Sequence, residues 1–196
     1  RRHTRCSRDW SSDVCSSDLR CSGFGVYYLI EDMSSPIGIE IGSETGATSE
    51  HLLCNKEDLT LHCVDPFMPY TDKSIKGAEF PDHDHYYQKF LNRMKSYGNR
   101  MILHRKTSDE ALEEFEDGAY DFIFIDGLHE YNQVKTDMEN YYSKIKDGGV
   151  FAGHDYNYVT DVKQAVDEFA EKIGIKEVLH TDHDVWYWIK GTENGS

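Results

Sequence analysis

Positive charge is scarce in this sequence. Its 196 residues include 21 Lys and Arg against 36 Asp and Glu, which gives a formal net charge of −15 at pH 7. A surface with this excess of negative charge repels both nucleic-acid phosphates and anionic lipid headgroups. We therefore expect neither a nucleic acid nor a membrane surface as a partner.

The sequence also lacks long apolar runs. None approaches the roughly 20 residues that a membrane-spanning helix needs, and no charged start leads into an apolar stretch with a cleavage site. These absences predict a cytoplasmic location. No two of the five cysteines form a C-x-x-C pair, so the sequence indicates neither a zinc site nor a redox dithiol. We expect Cys54 and Cys63 to be buried thiols.

The first twenty residues differ from the rest of the chain. They are rich in Ser and Arg and show neither helical nor strand periodicity. Residues 9–19, DWSSDVCSSDL, resemble a translated sequencing adapter. We interpret residues 1–20 as a non-native, disordered head and residues 21–196 as a single domain; a genuine Ser-rich tail is the alternative. We expect the native protein to carry further helices upstream of residue 21.

From residue 36 onwards, apolar runs alternate with helical patterns. Five such units contain the runs PIGIEI, LTLHCV, RMILHR, DFIFI and GVFAG. This rhythm predicts a doubly wound α/β fold, with a mostly parallel sheet and helices on both faces. The last two runs, IKEVLH and DVWYWIK, are separated by about three residues. Because so short a connection excludes a helical crossover, the last strand should be antiparallel.

A first candidate site is the segment GIEIGSETGATS, residues 38–49. It places Glu40, Gly42, Ser43 and Gly46 between a buried strand and the start of a helix. Glycines let the backbone approach a ligand closely, and the helix N-terminus suits a carboxylate or phosphate. A tight strand-to-helix turn without any ligand is the alternative.

Two further segments border the same crevice. Asp65 ends the second strand, where nucleoside-binding folds place an acid against the ribose hydroxyls. Asp65 and Pro66 could instead form only a turn. Thr107 and Ser108 follow the third strand, where plain helix capping is the alternative to ligand contact.

A second candidate site combines YDFIFIDGLHEY, residues 120–131, with GGVFAGHDY, residues 148–156. Neighbouring strands bring Asp126 and His129, then His154 and Asp155, to one edge of the sheet. Asp126 and Asp155 could share a cation, and such oxygen ligands suit Mg²⁺ or Mn²⁺. Taken singly, these residues could be helix caps or surface histidines. The motif DHDHYY, residues 82–87, is interpreted as a mobile lid or solvated loop.

Four features of the sequence together resemble class I S-adenosylmethionine-dependent methyltransferases. They are the E-x-G-x-x-x-G motif at 40–46, Asp65, the D-G-x-H-x-Y motif at 126–131 and the G-H-D-Y motif at 153–156. The most similar group is a small family related to cephalosporin-biosynthesis and macrolide-sugar O-methyltransferases. The resemblance spans about residues 36–190. It implies a Rossmann-like, seven-stranded sheet with an antiparallel last strand, and O-methylation of a hydroxyl on a small molecule or sugar.

The resemblance also implies where S-adenosylmethionine binds. The segment 40–46, which includes Glu40, Gly42, Ser43 and Gly46, would lie under its methionine portion. Asp65 would hold the ribose, and Thr107 with Ser108 would flank the adenine. Asp126 is a further expected cofactor contact.

The catalytic residues implied by the resemblance are Asp126, His129 and His154. In metal-dependent relatives the residue matching Asp126 binds Mg²⁺ and the residue matching His129 acts as the base. This chain has His154 and Asp155 where those relatives have Glu and Asp. We therefore expect Asp126, Asp155 and His154 as metal ligands, with His154 either a weaker ligand or a second base.

Two other functions fit part of the pattern. A nicotinamide-dependent oxidoreductase would share the strand, the glycine turn and the distant acid, but this chain lacks G-x-G-x-x-G. A binding or scaffold protein could retain the fold without catalysis. The sequence leaves the acceptor and the oligomeric state open.

Overall fold

The computed structural model describes residues 22–75, 78–80 and 83–191. The predicted head, residues 1–20, and its adapter-like stretch lie outside these residues. The described helices are α1 (Ser22–Ile30), α2 (Ala47–Asn55), α3 (His83–Met94), α4 (Ser108–Ala111), α5 (Tyr131–Tyr141) and α6 (Thr160–Lys172), with 3₁₀ turns at Gly98–Arg100 and Leu112–Glu114. The described strands are β1 (Ile37–Ile41), β2 (Thr60–Val64), β3 (Tyr70–Asp72), β4 (Ala78–Phe80), β5 (Met101–His104), β6 (Tyr120–Ile125), β7 (Ile145–Gly153), β8 (Leu179–His180) and β9 (Trp186–Ile189).

Seven of these strands form one sheet in the order β5-β2-β1-β6-β7-β9-β8. The strands β5, β2, β1, β6 and β7 pair in parallel, whereas β9 is antiparallel to both β7 and β8. The predicted α/β fold, with a seven-stranded and mostly parallel sheet and an antiparallel last strand, is confirmed. The short connection between β8 and β9 forces this reversal.

Helices cover both faces of the sheet, as predicted. Helices α1, α2 and α3 bury Val26, Leu52 and Phe90 on one face, and α5 and α6 bury Met138 and Val166 on the other. Helix α6 buries residues 162, 165, 166, 169 and 170, the spacing of one helix face. In the described part of the chain, no helix is long and apolar enough to cross a bilayer.

The segment between β2 and β5 differs from the prediction. It contains a separate two-stranded antiparallel hairpin, β3–β4. The lid or loop interpretation of residues 82–87 is wrong from His83 onwards, because α3 starts there. The buried Phe90 and Met94 hold this helix against the sheet. Cys63 is buried as expected, whereas Cys54 is half-buried.

Candidate functional site

The carboxyl ends of β1, β2 and β6 open onto a cavity of about 440 Å³. Ligands of doubly wound folds bind at this edge of the sheet, and small-molecule sites commonly have this size. Six of the predicted site residues line the cavity: Gly42, Asp65, Thr107, Ser108, Asp126 and His129. Residues from four separate loops therefore meet at one site.

Gly42 sets how closely two of these loops approach each other. Its φ is +87°, and a Cβ atom there would lie 2.1 Å from the backbone oxygen of Asp126. Only glycine avoids that overlap and adopts the left-handed conformation at little cost. The end of β1 can thus lie directly against the loop that follows β6.

Glu40, Ser43 and Gly46 lie near the cavity but are not among the residues that line it. The Glu40 carboxylate is 1% exposed and accepts hydrogen bonds from Ser43 Oγ, at 2.9 Å, and from Ser49 Oγ. Burial raises the pKa of Glu40 to about 7. In this structure Glu40 thus ties Ser43, in the loop after β1, to Ser49 in α2.

Asp65 links two loops on the cavity wall. Its Oδ2 accepts a hydrogen bond from the Glu44 backbone N–H at 2.8 Å, and its Oδ1 accepts one from the Phe67 N–H at 2.7 Å. Each carboxylate oxygen can accept more than one hydrogen bond. The Asp65 carboxylate can therefore hold the two loops and also accept donors from a ligand.

Thr107 has a demonstrable structural role. Its Oγ1 accepts from the Glu110 N–H at 3.2 Å, and the Glu110 carboxylate accepts from the Thr107 N–H at 3.0 Å. This capping box satisfies two free N–H groups at the start of α4. Ser108 Oγ accepts from Gln133 Nε2 at 3.3 Å. The capping interpretation of Thr107 is confirmed, and both residues also face the cavity.

A compact group of four side chains lies at the ends of β6 and β7. We call this group, which consists of Asp126, His129, His154 and Asp155, the Asp–His cluster. Asp155 Oδ2 lies 2.7 Å from His129 Nε2 and 3.2 Å from His154 Nδ1. Asp126 Oδ1 lies 4.0 Å and 3.8 Å from the same two nitrogens. The structure therefore brings together all four residues predicted for the second site.

Opposite charges dominate the electrostatics of the Asp–His cluster. Burial opposes a charged imidazole, but the neighbouring carboxylates outweigh it and raise the pKa of both His129 and His154 to about 9. Burial likewise opposes a charged Asp155, but hydrogen bonds from both imidazoles hold its pKa well below the usual range. Burial raises the pKa of Asp126 to about 6. At neutral pH the imidazoles therefore balance the carboxylates.

Three members of the cluster are arranged as metal ligands could be. One donor atom each from Asp126, His154 and Asp155 lie within 4.8 Å of one another. Atoms at such separations can bind one ion together. Two carboxylates suit Mg²⁺ or Mn²⁺, whereas an imidazole suits later transition metals better than it suits Mg²⁺. The donor set fits a divalent cation, which His154 could bind only in its neutral form.

Sequence reasoning missed two buried acids at the site. Asp72 is fully buried on β3, and its Oδ2 lies 2.8 Å from His129 Nδ1. Asp137 is 1% exposed on α5, lines the cavity, and accepts from Gln133 Nε2 at 3.0 Å. The position of Asp137 next to the apolar Met138 is a signal in the sequence that could have indicated this buried acid. Nothing in the polar segment around Asp72 indicated its role.

A family model described as a methyltransferase domain matches residues 39–156. That range contains every residue predicted for the site. The uncharacterised protein y4gI of Sinorhizobium fredii (strain NBRC 101917 / NGR234) is 30% identical over 148 residues. The alignment covers 73% of this chain but only 15% of that relative. The chain thus spans a small part of the relative's length.

Solved structures share the fold. The O-methyltransferase NovP superimposes with a TM-score of 0.64 at 20% sequence identity, covering 86% of this chain and 77% of that one. The O-methyltransferase TomG of Streptomyces achromogenes, which is involved in tomaymycin synthesis and was solved in complex with SAM, has a TM-score of 0.59 at 14% identity. The match covers 87% of this chain and 80% of TomG.

Proposed function

This chain belongs to the methyltransferase-domain family, and on that premise we propose that it is a class I S-adenosylmethionine-dependent O-methyltransferase. The observation that carries the proposal is that one side of the Asp–His cluster faces the cavity. Asp126 and His129 line the same cavity as Gly42 and Asp65, whereas His154 and Asp155 are not among the residues that line it. A cofactor pocket and a group of proton-accepting side chains thus share one opening.

The residues of the cavity fit the cofactor. S-adenosylmethionine would supply the methyl group on its sulfonium sulfur. Gly42, whose missing Cβ lets the end of β1 lie against the loop after β6, would lie under the methionine portion, and Asp65 would accept hydrogen bonds from the ribose hydroxyls. Thr107 and Ser108 would flank the adenine. Glu40, Ser43 and Gly46 would act by shaping the loop rather than by touching the cofactor.

The Asp–His cluster would prepare the acceptor. An aliphatic hydroxyl is a poor nucleophile at neutral pH, so its proton must be removed as the methyl group is transferred. We propose that His129 takes that proton at Nε2. Asp126, His154 and Asp155 would hold Mg²⁺ or Mn²⁺, which lowers the pKa of a bound hydroxyl. Because only a neutral imidazole is a base, the transfer rate should increase as the pH rises towards 9.

The acceptor would be a small molecule, and we propose a sugar hydroxyl. The motifs in this chain resemble those of macrolide-sugar and cephalosporin-biosynthesis enzymes, and the cavity is lined by exposed aromatic and apolar side chains. Met68 and Tyr70 are 53% and 40% exposed there. Such side chains pack well against sugar rings. The charge of −15 further supports a protein that binds neither nucleic acid nor membrane.

The proposal can be tested by a methyl-transfer assay. It measures transfer of a labelled methyl group from S-adenosylmethionine to a panel of sugar and other hydroxyl acceptors, with and without Mg²⁺. His129→Ala should nearly abolish transfer and leave the affinity for S-adenosylhomocysteine unchanged. His85→Ala, which changes an exposed histidine on α3, is the control and should leave both unchanged. Cofactor binding without transfer to any acceptor would instead support a scaffold protein that retains the fold.

A further inference from the structure

Asp72 is a buried carboxylate on the short strand β3. Its neighbours Tyr70 and Thr71 are exposed, whereas Asp72 is fully buried. A buried charge is costly unless hydrogen bonds compensate for it. Three N–H groups meet at this carboxylate: Ser74 N at 3.0 Å from Oδ1, and His129 N and Nδ1 at 3.1 and 2.8 Å from Oδ2. Two of these three belong to His129.

The imidazole of His129 is held from both sides. Nδ1 faces Asp72 in the β3–β4 hairpin, and Nε2 faces Asp155 at 2.7 Å and Asp126 at 4.0 Å. A second contact joins the same two segments, since Lys73 N lies 3.4 Å from the Glu130 carboxylate. The hairpin and the loop after β6 therefore contact each other through residues next to His129 as well as through His129 itself.

We propose that Asp72 is a positioning residue, which keeps one ring proton of His129 on Nδ1 and directs Nε2 towards the reacting groups. The inference rests on the proposed function, in which His129 is the base. A base can exchange a proton with substrate only through a nitrogen that faces it. Partners of this kind fix the tautomer and the orientation of functional histidines in other sites.

The role requires a carboxylate rather than an amide. The three N–H donors use both Asp72 oxygens, and the side chain of asparagine has only one oxygen. If that oxygen faces His129, the NH₂ group meets the Ser74 N–H. If it faces Ser74, the NH₂ group meets the His129 donors and favours a ring without a proton on Nδ1. Asp72→Asn should therefore disturb the ring rather than merely weaken one contact.

The position of the ring proton is measurable in the ¹⁵N-labelled full chain by long-range ¹H–¹⁵N correlation, with His129→Gln to assign the signals. In the wild type, the neutral ring should carry its proton on Nδ1, which faces Asp72, and Nε2 should carry none. In Asp72→Asn, the neutral ring should shift to the tautomer protonated at Nε2. Glu79→Gln is the matched control, since Glu79 is exposed and pairs with Thr71 in the same hairpin. Its spectrum should match the wild type.

Two results would overturn the inference: a neutral wild-type ring protonated at Nε2, or an Asp72→Asn spectrum identical to that of the wild type. If Asp72→Asn does not fold, the wild-type spectrum alone decides. S-adenosylhomocysteine affinity, measured on the same samples, separates this inference from the proposed function. A wild type that does not bind S-adenosylhomocysteine would refute the methyltransferase proposal. The position of the ring proton would still show whether Asp72 sets the tautomer of His129.

Discussion

Replacing Gly42 by alanine tests whether the backbone geometry at the end of β1 builds the cavity. The added methyl group would lie 2.1 Å from the Asp126 backbone oxygen and 2.6 Å from the Gly127 Cα. Both atoms belong to the loop after β6, so no flexible side chain can move aside. The loop or the strand end must shift, and the cavity floor must change with it.

The expected loss of stability has two parts. Alanine at φ +87° costs about 1–2 kcal/mol in left-handed backbone strain. Relieving the overlap with the loop costs about 1–3 kcal/mol more, as for other overpacked sites. The free energy of unfolding should therefore fall by about 2–5 kcal/mol.

Gly118→Ala is the matched control, because Gly118 has a φ of +64° and a Cβ there would meet nothing within 4 Å. It should cost only the backbone strain, about 1–2 kcal/mol. Urea unfolding measures both losses, and titration with S-adenosylhomocysteine measures the effect on the cavity. Equal losses of stability in the two variants, or unchanged ligand affinity in Gly42→Ala, would show that the close approach at Gly42 does not shape the cavity.

Three further predictions concern the residues around the cavity. Because His129 and His154 have pKa values raised from 6.5 to about 9, they stabilise the folded state below pH 6.5 and lose that contribution as the pH rises through 9. The free energy of unfolding should thus fall between these pH values, and fall less in His154→Gln; an equal fall in the variant would contradict the assignment. Mn²⁺ should raise the melting temperature by binding the folded state, and Asp155→Asn should remove that increase; a shift that persists in the variant would place the ion elsewhere. Thr107→Ala should cost about 0.5–2 kcal/mol by removing the cap of α4, as measured by urea unfolding, and no loss would contradict the capping role.

Much of the fold could be predicted because a parallel sheet buried on both faces leaves a plain pattern. Strand β6 reads as the continuous apolar run DFIFI, and the short connection before β9 excludes a parallel pairing. The helix Ser22–Ile30 was not predicted, since SGFGVYYLI has no polar face to produce helical periodicity. The β3–β4 hairpin was missed because each of its strands is only three residues long.

The site was predictable where it depends on strand ends. Asp126 and Asp155 each follow a buried strand, and neighbouring parallel strands end at the same edge. The partner of His129 was not predictable, because Asp72 lies 57 positions away in the chain. Glu40 stays a predicted cofactor residue, and its burial and its hydrogen bonds to Ser43 and Ser49 could not be foreseen from the motif. A motif shows which residues are close to a site, but not how deeply each side chain is buried.

Whether the cavity binds the methyl-donor cofactor can be measured by calorimetric titration of the chain with S-adenosylhomocysteine, with Asp65→Ala as the comparison. We expect one-to-one binding, which Asp65→Ala should weaken by about tenfold or more through loss of hydrogen bonds to a carboxylate. A folded protein that does not bind the ligand, or that binds it equally well without the Asp65 carboxylate, would refute the proposed cofactor site.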